Sequence, residues 1–144
     1  MVNTPPRNIS RYPERVPDAA LTGRTRTIAN APIYDPDEVL ALAQAGKIML
    51  WTPGARRDAA KWSIDTTDVS ELIIAALRRG RFQTAEWCEE KPNGPWAACD
   101  AWIVTRNEWI EQTKKWMETT YYLKFAISRT GEILLMASSH PEYT

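Results

Sequence analysis

The sequence predicts an α+β fold, N-terminal helices packed on a mostly antiparallel sheet, and three observations carry that expectation. Helix-spaced apolar residues fill much of the first half, strand-like runs dominate the second, and Pro/Gly-bearing turns separate those runs. At 144 residues the chain lies in the one-domain range, enough to bury roughly two-thirds of the surface its unfolded form exposes.

Taken in order, residues 1–32 carry five arginines against Glu14 and Asp18, several prolines and little apolar periodicity. That is the profile of an extended basic arm, which leaves 33–144 as a single α+β domain. Such an arm docks on its own domain or on another chain, so a homo-oligomer held by the arm is among the expected assemblies. Asp35-Pro36 followed by Asp37 and Glu38 supplies an N-cap, a first-turn proline and acids beside the positive helix end, which predicts a helix over Pro36–Ala45. Gly46 ends it, and Lys47–Thr52 reads as a strand closed by Pro53-Gly54. Ala55–Trp62 reads as a short helix. Val69, Leu72, Ile73, Ala76 and Leu77 keep strict helical spacing between a start at Asp65-Thr66-Thr67 and an end at Arg78-Arg79-Gly80.

From Arg81 the pattern becomes strand-like. Arg81–Cys88 and Ala97–Val104 flank the turn-forming Lys91-Pro92-Asn93-Gly94-Pro95 and can pair as a hairpin. Thr105-Arg106-Asn107-Glu108 matches a capping box, and Trp109, Ile110, Thr113, Trp116 and Met117 keep helical spacing, so a third amphipathic helix is predicted there. Tyr121–Ser128 and Glu132–Ser139 around Arg129-Thr130-Gly131 predict a C-terminal hairpin.

Composition narrows the function classes. Eighteen basic and eighteen acidic side chains cancel, so an anionic partner has to be held by a local patch. The longest apolar runs fall far short of a membrane span, and the N-terminal residues have no signal-peptide pattern, which predicts a cytoplasmic protein without a membrane partner. Cys88 and Cys99 lack paired CxxC spacing, and phosphate-loop, dinucleotide, serine-hydrolase and zinc-protease motifs are missing, so neither metal nor cofactor is expected.

Strand alternation then selects candidate chemistry. Leu123, Phe125 and Ile127 share one face of their strand, and Tyr122 and Lys124 share the other, placing a phenol and an ammonium together. His140, the only histidine, falls at the end of the partner strand and is the residue type suited to proton transfer near neutral pH. Glu86 and Asp100 place carboxylates beside tryptophans and are candidate acid, base or orienting groups. Each has a structural alternative: Asp100 bonding backbone donors, Glu86, Lys124 and His140 facing solvent, Tyr122 capping the apolar layer.

From Tyr34 onward, DPDEVLALAQAGKI, WTPGARRDAAKWSIDTTDVSELI, RF, the aspartate of ACDAW, and YYLKFAI followed by EILLMASSH resemble in their order the MqsR-type toxins, RelE-related ribonucleases of bacterial toxin-antitoxin pairs. These weak individual strings cover most of residues 34–140. The resemblance implies a RelE-like, microbial-RNase-like fold and metal-independent endoribonuclease activity on mRNA. It also implies a cognate antitoxin as partner, contact with the ribosome, Tyr122 and Lys124 as site residues, and Asp100 and His140 near the family's polar pair and C-terminal basic residue. The chain departs from the family in its neutral charge, its arm, the helix expected around Trp109–Met117, and Gln83-Thr84 where the family carries a lysine. Two other readings compete. One is a non-catalytic interaction module on the same fold. The other is an ADP-ribose-related hydrolase, because WCEE with NGPWAACDAW resembles short bacterial proteins labelled as hydrolases of ADP-ribosylated dinitrogen reductase.

Overall fold

Local capping fixes three helices. In the computed structural model, which describes residues 6–142, the Asp35 carboxylate accepts from the Asp37 amide at 3.0 Å and starts α2 (Pro36–Gln44), with Pro36 in its first turn. Gly46 at φ +69° turns the chain into β2 (Ile48–Leu50). Thr52 caps α3 (Pro53–Trp62) by accepting from Ala55 N–H at 3.0 Å. Asp65 and Asp68 form a reciprocal capping box at the start of α4 (Thr66–Arg79). Gly80, the expected C-terminal stop of α4, has an ordinary φ of −87°, so it is not there for a left-handed turn. Space demands it: a Cβ would lie 2.8 Å from Ala76 Cα and closer still to the Ile103 carbonyl oxygen. Gly80→Ala is therefore expected to destabilise the fold by about 1–3 kcal/mol, measured by urea unfolding, because backbone on both sides must move.

A six-stranded sheet forms the frame. With β1 (Thr27–Ala29), β3 (Arg81–Glu89), β4 (Trp96–Ile110), β5 (Lys115–Ile127) and β6 (Leu134–Pro141), its order is β1-β3-β4-β5-β6-β2. Among the described strands the β2–β6 ladder is parallel and the other four ladders are antiparallel, matching the expected mostly antiparallel sheet. The main core gathers Val69, Leu72 and Ile73 of α4 with Val39 of α2 and the strand residues Val104, Leu123, Phe125 and Ile127, all at most 1 % exposed. Burying each large aliphatic side chain contributes about 1.5–3 kcal/mol, so this layer is the main source of stability. A second, smaller cluster joins Trp87, Trp96 and Ala98 to Ala20 of the short helix α1 (Asp18–Leu21).

The stretch expected as an arm lies along this second cluster. Asn8 bridges to Trp96, Ser10 to Ser128, and β1 adds a strand beside β3. Its first five residues, and the last two of the chain, lie outside the described residues.

The expected helix over Trp109–Met117 is overturned. Those residues are the far end of a long β4–β5 hairpin, paired continuously from Asp100↔Phe125 to Ile110↔Lys115. The groups that imitate a capping box bond across the ladder instead: Thr105 Oγ1 meets Thr120 Oγ1 at 2.8 Å, and Glu108 accepts from the Tyr121 hydroxyl at 2.8 Å. Helix-like spacing arises because Trp109 and Trp116 are direct cross-strand partners, with ring centroids 5.9 Å apart, on either side of the connecting turn. β-branched and aromatic residues throughout this segment favour the ladder.

Candidate functional site

Cross-strand partners point to the same face, so register alone sorts the candidate residues. Tyr122 faces His140, Lys124 faces Ser138 and Ala101, and Glu86 faces Cys99. Because Cys99 and Ala101 are two apart on β4, four of the five sequence candidates, Glu86, Tyr122, Lys124 and His140, share one sheet face. Asp100, between them in sequence, points to the other.

The central strand explains how Lys124 and Glu86 meet. Their strands flank β4, and strands two apart are separated by roughly 10 Å. Between them the β4 residues on this face are Ala97, Cys99 and Ala101, small and fully buried, so the long side chains close over them into an ion pair. The two side chains are only 17 % and 26 % exposed, so their attraction is less screened than at an open surface. Burial lowers the proton affinity of Lys124, but Cys88, Glu86 and Tyr122 outweigh it and hold the ammonium above the ordinary lysine range. Lys124 is a fixed cation. Its site opens into a cleft of about 240 Å³ lined also by Arg26, Thr52, Gly54, Cys88, Glu89 and Ser138.

A bulge shapes one wall of that cleft. β6 skips a residue against β5, from Ser138↔Lys124 to Met136↔Phe125, which leaves Ala137 unpaired in the ladder. The freed Ala137 carbonyl accepts from Thr52 Oγ1 at 2.8 Å, anchoring the positive N-terminal end of α3 beside Lys124. Arg26 adds another cation, paired with Glu89 at 3.5 Å. Cys88 sits on the cleft floor, its thiol pushed down by a hydrogen bond with Cys99 and by Lys124, against burial. Cys99 is pushed up by burial.

Tyr122 and His140 form the other half of the site. Their rings stack with centroids 5.7 Å apart, and Lys124 Nζ lies 5.5 Å from the Tyr122 ring centre. The Pro141 carbonyl, which can only accept, lies 2.8 Å from His140 Nδ1, so Nδ1 carries a proton and Nε2 is the position that exchanges one. Burial raises the Tyr122 phenol above its ordinary value, so it remains a hydrogen-bond donor at neutral pH.

Asp100 takes the structural alternative. Only 1 % exposed, it accepts the backbone N–H of Ile33 at 3.0 Å and of Tyr34 at 3.1 Å, tying the chain ahead of α2 to the sheet. Burial raises its carboxyl to about 6, although both N–H donors favour the charged form.

Sequence reasoning missed Arg26, Thr52 and Cys88. The last had a local signal, since alternation in β3 places Cys88 on the same face as Glu86. Arg26 and Thr52 reach the cleft only through tertiary packing. Among the described residues no three His, Cys, Asp or Glu side chains converge to hold a metal ion, and no helix is long and apolar enough to cross a membrane. Compared with protein-family models, curated proteins and solved structures, the chain matches none.

Proposed function

We propose that this chain is a metal-independent endoribonuclease acting on mRNA in the cytoplasm, the toxin of a toxin-antitoxin pair, neutralised by a cognate antitoxin. The observation that supports this reading is the grouping of Glu86, Lys124, Tyr122 and His140 on one partly open sheet face. RNA cleavage by its own 2′-hydroxyl needs a base, an acid and a cation at the phosphate, and these side chains supply all three. Glu86 takes the 2′-hydroxyl proton as the 2′-oxygen bonds to phosphorus. Lys124, with the N-terminal end of α3, stabilises the charge on the phosphorane oxygens. His140 protonates the leaving 5′-oxygen as the P–O5′ bond breaks, giving a 2′,3′-cyclic phosphate and a free 5′-hydroxyl. Tyr122 orients the imidazole by stacking and donates to a phosphate oxygen.

The test is inducible expression of wild type beside His140→Ala and Glu86→Gln, following growth and total RNA. Growth arrest with RNA fragmentation in wild type, and a loss of at least about a hundred-fold in cleavage rate for each variant in EDTA-containing buffer, is the expected result. Intact RNA and unaffected growth in all three, with soluble protein present, would refute the reading.

A further inference from the structure

The face that carries the candidate site continues along the β4–β5 hairpin. From Tyr122 the same-face residues of β5 are Thr120, Glu118 and Trp116, and those of β4 from Ile103 are Thr105, Asn107 and Trp109. Six residues of strand put the Trp109–Trp116 pair roughly 20 Å from Tyr122. Both indoles are open to solvent, at 46 % and 69 % exposure, and edge-packed on one another. Their packing on one another supports the hairpin end, yet about half or more of each residue stays open to solvent and available to a ligand.

Between the two lies a second cleft, of about 300 Å³, lined by Arg79, Arg81, Thr105, Thr120 and Glu142 with the backbone of Gly80. Arg81 faces Ile103, the cross-strand partner of Tyr122, so the cleft borders the candidate site. Neither arginine forms an ion pair with a carboxylate among the described residues, whereas Arg11, Arg26 and Arg106 each do. With Glu142 the cleft's ionised side chains sum to one net positive charge, the local patch that a chain of zero overall charge needs to hold an anion.

We infer that this strip is a track for unpaired RNA, with Arg79 and Arg81 holding a backbone phosphate next to the cleavage site and Trp109 and Trp116 stacking a base a few nucleotides away. The inference rests on the ribonuclease reading and adds to it a substrate class, single-stranded RNA, because only unstacked bases can lie on exposed indoles. Guanidinium groups fit phosphate oxygens in a bidentate manner, and the Thr105 and Thr120 hydroxyls lie between the arginines and the indoles. Over the strip as a whole Glu118, on the same face, and Glu142 balance the two arginines, and the Trp109 indole N–H donates to Glu111 at 2.7 Å, so the attraction is local to the Arg79–Arg81 end.

The test measures binding separately from cutting. A fluorescent 2′-O-methyl RNA octamer, which has no free 2′-hydroxyl to react, is titrated by anisotropy into wild type, Trp116→Ala and the double variant Arg79→Ala/Arg81→Ala. Cleavage of the unmodified octamer is followed in parallel. Trp116→Ala is expected to weaken binding at least about five-fold. The arginine variant should weaken it and flatten the slope of log K against log salt by about 0.7 for each phosphate it no longer neutralises. A hairpin octamer of the same composition should bind wild type more weakly than the unpaired one. If both variants bind within two-fold of wild type, or wild type does not bind, the track is refuted, and the exposed indoles are left to a protein partner. Weakened binding in both variants with no cleavage by wild type would keep the track and refute the ribonuclease reading instead.

Discussion

Lys124→Ala is expected to lower RNA cleavage by about a hundred- to a thousand-fold, the cost of removing a preorganised charge from a phosphorane site. The same substitution should cost about 1–3 kcal/mol of stability, because Glu86 remains half-buried with no ammonium over the small floor of Cys99 and Ala101. The two effects separate in Lys124→Ala/Glu86→Gln: neutralising the stranded carboxylate restores part of the stability and none of the activity. Single-turnover cleavage and urea unfolding of both variants check this. A Lys124→Ala protein that cleaves normally would remove Lys124 from the mechanism.

Asp100→Ala carries the largest expected stability effect, about 3–5 kcal/mol, since the backbone N–H groups of Ile33 and Tyr34 lose their acceptor in a buried site. For a domain stable by about 5–15 kcal/mol that loss is a large part of the total. Asp100 also makes a pH signature. Its carboxyl binds a proton more tightly folded, at about 6, than at the ordinary 3.8 of an unfolded chain. The folded state therefore holds the extra proton between these values, and this group's contribution is greatest at low pH and falls as pH rises from about 4 to about 6. The fall is on the order of 3 kcal/mol. Relative to Asp100→Asn, which has no such titration, wild type should lose stability by that order between pH 4 and pH 7 in paired unfolding curves. Asp100→Asn should cleave RNA at the wild-type rate, because the side chain points away from Lys124; a large rate loss in a folded Asp100→Asn protein would contradict this placement.

The helices were legible in the sequence because their signals are local. Asp35-Pro36 and the Asp65-Thr66-Thr67 start act within one turn, and the structure caps α2 and α4 there, whereas Thr52, read as the end of a strand, is the cap of α3, which begins at Pro53 and not at Ala55. The face shared by Tyr122 and Lys124 was legible from strand alternation; His140 joins it only because the bulge at Ala137 shifts the β5–β6 register by one residue, which the sequence does not mark. Glu86 needed more: its side is set by the register of β3 on β4 and the gap left by Cys99 and Ala101. Asp100 was singled out by residue type, yet its partners are two backbone amides 66 and 67 positions away, which no spacing rule reveals. The β4–β5 extension was misread because two tryptophans paired across a turn imitate helical spacing. Only the ladder bonds, Thr105 to Thr120 and Tyr121 to Glu108, decide between them.

The most direct test of the central claim uses a DNA oligonucleotide carrying a single ribonucleotide, incubated with wild-type protein in EDTA and analysed by mass spectrometry. Cleavage only after the ribonucleotide, leaving a 2′,3′-cyclic phosphate and a 5′-hydroxyl, is the result the Glu86–Lys124–His140 chemistry predicts. Cleavage at deoxyribonucleotides, products with a 3′-hydroxyl and a 5′-phosphate, or no cleavage of this or an all-RNA strand would contradict it.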